Sequence, residues 1–155
     1  MAMTDEDTIT AIHEAAHAVA AIRAGLVFDH VTIEPDDERE TEGALHWTDL
    51  QSTGEVVESP HLHAVVLLAG PCAEAKLRNL RIDRLFMGEA AMDDRAGVAE
   101  LGLSEEQFLA ATREALELIE GDWPLIEQIA AELVEGGDLD YEEIEAIVEE
   151  ADTGR

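Results

Sequence analysis

The chain has 155 residues and a net charge of −28, because nine lysines and arginines are set against 37 aspartates and glutamates. A charge of this sign repels phosphate backbones and anionic lipids, which argues against binding to nucleic acid or to a membrane surface. The apolar content of 46% is typical of a globular protein rather than of a disordered acidic chain, and the length predicts a single domain over residues 1–155.

The N-terminal part of the chain predicts a helix followed by a small β-hairpin. Apolar residues keep a helical period from near Thr4 to Gly25, where glycine favours the left-handed conformation that ends helices. Residues 28–34 then alternate apolar and polar side chains, as a half-buried strand does. Pro35 and the acidic residues after it favour a turn, and residues 44–48 can return as the antiparallel partner.

The rest of the chain is predicted to be helical. Ser59-Pro60 is typical of a helix start, and the helix that follows to Leu77 is apolar almost all round, so we expect it to be buried. A short helix is predicted over residues 89–101, ending at Gly102. Ser104 with Gln107 and Asp140 with Glu143 match the capping-box pattern, so each pair predicts the start of a helix. Another helix is predicted to start at Asp122-Trp123-Pro124. The predicted fold class is therefore mostly α with a small β-hairpin.

The most informative stretch is His13-Glu14-Ala15-Ala16-His17 in the first helix. Residues four apart lie on one face of a helix, with Cβ atoms about 5–6 Å apart, so both imidazoles can reach one ion. Zinc accepts neutral histidine nitrogen and keeps one position open for water in catalytic sites. Glu14 lies beside that ion, where its carboxylate can take a proton from the water and pass it to a leaving amine. The spacing predicts a zinc site with His13 and His17 as ligands and Glu14 as general base.

The third metal ligand has to come from another part of the chain. A metzincin arrangement is excluded, because Arg23 stands where that pattern has its third histidine. Glu74, on the buried helix, is one candidate, and Asp93 and Asp94 are the others. Glu74 has a second interpretation, as a carboxylate that orients a ligand histidine through its other ring nitrogen.

Six segments, in order along nearly the whole chain, resemble the peptidase domain of the FtsH-type ATP-dependent zinc proteases. They are the metal helix at residues 13–19, the strand at 30–35, its return at 43–45, the buried helix at 67–74, the segment 90–94 and the closing helices with residues 139–144. The resemblance implies a zinc site of His13, His17 and Asp94, with Glu14 as general base for peptide-bond hydrolysis. Asp93 stands where the family has asparagine, so it is the alternative third ligand.

The chain also departs from that family. It has no glycine-rich phosphate loop followed by lysine and serine or threonine, so it carries no ATPase module. A peptidase domain alone cannot unfold a protein, so we expect short or unfolded peptides as substrates, with a separate ATPase or a homo-oligomer as possible partners. The strand at Val31–Ile33 is expected to be an edge strand that aligns an extended peptide.

Two other interpretations stay open at the level of sequence. The first is a metal-binding regulatory or interaction domain that keeps the peptidase fold without productive cleavage. The second is a helical structural module that binds no metal. The expected compartment is the cytoplasm, because the chain has one cysteine, an acidic N-terminus unlike a signal peptide, and no apolar run of about 18 residues.

Overall fold

The computed structural model of the protein has a mostly helical architecture, as the sequence predicts. The structure describes residues 6–28, 30–33, 44–45, 51–52, 60–79, 99 and 101–154. The helices in this part are α1 (Glu6–Arg23), α2 (Pro60–Arg78), α3 (Glu105–Gly121), α4 (Trp123–Gly136) and α5 (Tyr141–Thr153). The strands are β1 (Leu26–Val27), β2 (His30–Thr32), β3 (Ala44–Leu45), β4 (Gln51–Ser52) and β5 (Leu139–Asp140).

The centre of the molecule is the contact between α1 and α2. Helix α1 packs against α2 and against α4, while α3 packs on α2. Every residue of α1 from Ala11 to Ala21 is buried, and most of these are alanines. In α2, Ala69, Gly70 and Ala73 are buried as well, and Gly70 lies against His13 and His17 of α1. Because the separation of two helices depends on the side chains between them, these small residues let the backbones approach closely.

The ends of several helices follow the predicted capping pattern. Gly25 adopts φ 77° just after α1, and its N–H donates to the carbonyl of Ile22. Ser104 and Asp140 each accept a hydrogen bond from the backbone three residues on, and in both cases the side chain at that position bonds back to the cap. The capping boxes predicted for α3 and α5 are therefore confirmed.

Asp122 precedes α4, as expected, and its side chain makes no capping hydrogen bond. Both of its carboxylate oxygens instead accept from the Arg23 guanidinium, at 3.1 Å each, and the same guanidinium donates to Asp152. Arg23 thereby connects the end of α1 to the α3–α4 junction and to α5, so tertiary contact replaces the local cap.

The predicted hairpin is present, but one expectation about it is wrong. Strand β2 pairs with β3 in antiparallel register, with Val31 opposite Leu45 and Thr32 opposite Ala44. On its other side β2 pairs with β5, with Val31 opposite Leu139. The strand at Val31–Ile33 is therefore the centre of a three-stranded sheet rather than its edge. Sequence patterns near β2 could not show this, because β5 lies in the C-terminal part of the chain.

Some predicted features lie outside the described residues. These are the helix start near Thr4 and all of the predicted helix at 89–101 except Ala99 and Leu101. Its predicted end is described: Gly102 adopts φ 65° and donates its N–H to the Ala99 carbonyl. Across the described ranges, every helix is too short or too polar to cross a lipid bilayer.

Candidate metal centre

The three predicted metal-site residues of α1 lie together inside the protein. His13 is 8% exposed, Glu14 is 6% exposed and His17 is 1% exposed. One potential ligand atom from each lies within 4.8 Å of the others. Within the described part of the chain, these three residues form the group of side chains that could hold a metal ion. Burying ionisable groups among alanines is unfavourable unless they have polar partners or bind an ion. Their surroundings therefore decide what the cluster can do.

Both imidazoles use Nδ1 for a hydrogen bond to α2. Nδ1 of His17 donates to the backbone carbonyl of Val66 at 2.7 Å, and Nδ1 of His13 donates to Oε1 of Glu74 at 3.1 Å. An acceptor at Nδ1 places the ring hydrogen there and makes Nε2 the nitrogen with the lone pair. Histidines that bind metal through Nε2 characteristically donate their other N–H to a carbonyl or a carboxylate. The two residues are therefore held in the tautomer that a metal ligand needs.

Glu74 orients His13, which is the second of the two roles that the sequence left open. The side chain is almost fully buried, and its Oε2 accepts from Nη1 of Arg78 at 2.8 Å. Burial raises the pKa of Glu74, but the contacts of the carboxylate with His13 and with the positively charged Arg78 outweigh burial and hold that pKa below its ordinary value. The carboxylate is thus held ionised as an acceptor for His13, and it lies outside the three-residue cluster.

Gly70 of α2 brings the backbone against Nε2 of both histidines. A Cβ atom added at Gly70 would lie 2.4 Å from Nε2 of His17 and 2.6 Å from Nε2 of His13. Both Nε2 atoms therefore lie against one position of α2, where the missing side chain of Gly70 leaves room for the imidazoles. Two Nε2 atoms this close together, on residues four apart, are compatible with sharing one ion.

Sequence reasoning missed most of this support, although the spacing along α2 carries a signal. Val66, Gly70, Glu74 and Arg78 follow one another at intervals of four, so they lie on one face of the helix. On that face, the Val66 carbonyl and the Glu74 carboxylate accept hydrogen bonds from the histidines. The backbone at Gly70 lies against both rings, and Arg78 donates a hydrogen bond to Glu74. A glycine and a glutamate at this spacing in an apolar helix could have indicated a polar neighbour.

Glu14 lies to one side of the imidazoles. Its Oε1 is 3.9 Å from Nε2 of His13, and the two imidazole rings have centroids 4.8 Å apart. Two imidazoles and a carboxylate are donors that divalent transition metals accept, zinc among them. The carboxylate is close enough to act on a molecule held at the ligand nitrogens, as a proton acceptor must be. The residues present therefore fit a metal ion, with Glu14 adjacent to it.

The third ligand predicted from the family resemblance is not placed. Asp94, and its alternative Asp93, both lie outside the described residues. The cluster of α1 and its contacts with α2 are formed by atoms of the described helices.

The comparisons with known proteins do not assign a family. A scan against protein-family models and a search of curated proteins both found no match to this chain. The five helices and small sheets of the described residues would in any case be compatible with many activities, since function depends on the site that a fold carries. The function of this protein therefore has to be argued from the side chains of the metal centre and their contacts.

Proposed function

We propose that this chain is a zinc-dependent metallopeptidase that cleaves unfolded or short peptides, with the fold of the FtsH-type peptidase domain. The observation that carries the proposal is the fixed orientation of the two imidazoles. Each donates from Nδ1 to α2, and the two Nε2 atoms meet beside Gly70 with the Glu14 carboxylate next to them.

The composition of the cluster favours a catalytic site over a purely structural one. Structural zinc sites are closed by four protein ligands, commonly cysteines, whereas catalytic sites use three and leave a position for substrate. Cys72, the single cysteine of the chain, does not belong to the cluster. In our proposal His13 and His17 are two ligands and Asp94 is the third, with Asp93 as its alternative.

The proposed chemistry divides between the ion and Glu14. Zinc, when bound, lowers the pKa of a water molecule and polarises the carbonyl group of the scissile bond. The Glu14 carboxylate takes the proton of the attacking water and then delivers it to the departing amine nitrogen. Burial of Glu14 would keep bulk water away from that proton.

The described sheet offers one place where an extended peptide could be held. Strand β3 is at the edge of the three-stranded sheet and contacts α1, the metal-binding helix of the proposal. Peptides commonly bind by adding a strand to such an edge through backbone hydrogen bonds, which requires an unfolded substrate. Short peptides of this kind would need no partner, whereas folded substrates would need a separate ATPase or an oligomer to unfold them.

The first test combines metal analysis with one substitution. Protein purified without added metal should contain one equivalent of zinc, and it should hydrolyse unstructured fluorogenic peptides. Glu14→Gln should keep the zinc and lose about 10²–10⁴-fold in kcat, the usual contribution of a general base. Glu117→Gln makes the same chemical change on the exposed surface of α3 and should keep full activity.

Each alternative function predicts a different result of the same test. Bound zinc without cleavage of any unfolded peptide would favour a metal-binding regulatory domain. Absence of any metal would favour a helical structural module. Full activity in Glu14→Gln would show that the assigned general base is wrong.

A further inference from the structure

We propose that Arg78 is a positioning residue of the metal centre, which acts through the Glu74 carboxylate on the imidazole of His13. This inference rests on the proposed function, because it concerns how tightly the site holds its ion. Arg78 itself is at the end of α2 and its side chain is 41% exposed. It therefore acts from the protein surface on a cluster that is buried.

The two oxygens of Glu74 are used by different partners. Oε1 accepts from Nδ1 of His13 at 3.1 Å, and Oε2 accepts from Nη1 of Arg78 at 2.8 Å. Rotation of the carboxylate about its terminal bond would disturb both hydrogen bonds together. Arg78 thus fixes the plane of the carboxylate, and the carboxylate fixes the direction of the His13 ring.

Because Glu74 is buried, its hydrogen bond from Arg78 is important. Glu74 is 3% exposed, so its charge has lost nearly all of its hydration and depends on protein donors. Arg78 follows it by four residues, with the acid N-terminal to the base, which is the favourable order for a pair on a helix. The guanidinium keeps much of its own hydration because it is partly exposed, so it stabilises the buried carboxylate without a comparable penalty of its own.

The consequence for the metal site follows from the geometry of His13. A fixed acceptor keeps the hydrogen on Nδ1 and directs Nε2 toward the point that it shares with Nε2 of His17. Removal of a group that orients a ligand typically weakens metal binding by about 10–100-fold. Arg78 is one contact further from the metal than Glu74, so we expect Arg78→Met to weaken zinc binding by about 10-fold, the lower end of that range.

The experiment measures the zinc dissociation constant of the full chain by competition with a chromophoric chelator. Arg78→Met is compared with Arg78→Lys, which keeps a cation four residues after Glu74 and should restore most of the affinity. Arg113→Met is the matched control, because it removes an exposed arginine from α3, which contributes no residue to the cluster. It should bind zinc as the wild type does.

A double-mutant cycle with Glu74→Gln separates positioning from a structural role. Arg78 also lies in the last turn of α2, where a cation stabilises the helix dipole. A role of that kind alone would lower the free energy of unfolding equally in both backgrounds and leave zinc affinity unchanged. A positioning role predicts that Arg78→Met weakens zinc binding in the wild-type background and has little further effect in the Glu74→Gln background.

The outcomes distinguish this inference from the proposed function. If the wild type binds zinc and Arg78→Met binds it equally well, the inference is overturned and the proposed function stands. Equal losses of affinity for Arg78→Met with and without Glu74→Gln also overturn it, because Arg78 would then not act through Glu74. If the wild type binds no zinc, both are overturned.

Discussion

The contact between Gly70 and the two imidazoles gives the most direct test of the site geometry. Gly70→Ala adds one methyl group at the point where the ligand nitrogens converge. Its Cβ would lie 2.4 Å from Nε2 of His17, and 2.6 and 2.7 Å from Nε2 and Cδ2 of His13. Ordinary contacts between such atoms are about 3.5–4.0 Å, so each distance is too short by about 1 Å.

The imidazoles cannot move away without losing their anchors. His17 is held by the Val66 carbonyl and His13 by Glu74, through hydrogen bonds of about 0.5–1.5 kcal/mol net each. Overpacking of a tight interior costs about 1–3 kcal/mol. Replacing a glycine inside a helix by alanine stabilises the folded state by about 0.5–1 kcal/mol, which offsets part of this loss. We therefore expect a net loss of about 1–5 kcal/mol in the free energy of unfolding of the metal-free protein.

The assay is urea unfolding with excess chelator, followed by zinc titration of the folded protein. Chelator removes the contribution of bound metal, so the first measurement reports packing alone. Zinc affinity should fall by at least about 10-fold, because a displaced imidazole no longer presents Nε2 at the shared point. Gly121→Ala is the control: a Cβ there meets nothing within 4 Å, so this variant should be unchanged or slightly more stable.

One result would refute the reasoning about this contact. If Gly70→Ala unfolds at the same urea concentration as the wild type and binds zinc with the same affinity, then α2 does not approach the imidazoles as described. A loss of zinc affinity without a loss of stability would mean that the rings move at little cost, and that their anchors on α2 are weak.

Two further predictions concern parts of the fold outside the metal centre. Burial raises the pKa of Cys72 to about 12, so iodoacetamide should leave the native thiol unmodified at pH 8 and alkylate it in urea. The unfolded thiol ionises first, so the free energy of unfolding should fall as pH rises from 9.0 to about 12, less steeply in Cys72→Ala. Asp140→Ala removes the cap of α5 and should lower the free energy of unfolding by about 1 kcal/mol in urea, whereas Asp138→Ala, just outside the helix, should not. Equal unfolding curves for these two variants would contradict the capping geometry.

The helical elements were predictable because their signals are local. The capping box at Asp140 and Glu143 predicts the start of α5 correctly, since both bonds form within one helical turn. The prediction for β2 was incomplete for the opposite reason. Alternation identified the strand and its hairpin partner, but β5 pairs with it from the C-terminal part of the chain. A strand pattern shows which face is buried and does not show how many neighbours the strand has.

Asp122 gives a second example of tertiary contact replacing a local preference. Its position before Trp123-Pro124 predicts the start of α4, and the helix does begin there. The carboxylate, however, receives two hydrogen bonds from Arg23, which is far away in the sequence. Charge-assisted bidentate pairing is stronger than a single bond to a backbone N–H, so the side chain turns toward the arginine.

The sequence by itself determined that two imidazoles and a carboxylate share one stretch of helix, because that depends only on a spacing of four residues and on helical pitch. Tertiary structure decided which ring nitrogens face the shared point. The acceptors that orient His17 and His13 lie 49 and 61 residues away in sequence, on α2. Their contact exists because alanines and Gly70 let α1 and α2 pack closely, and close packing depends on both helices together.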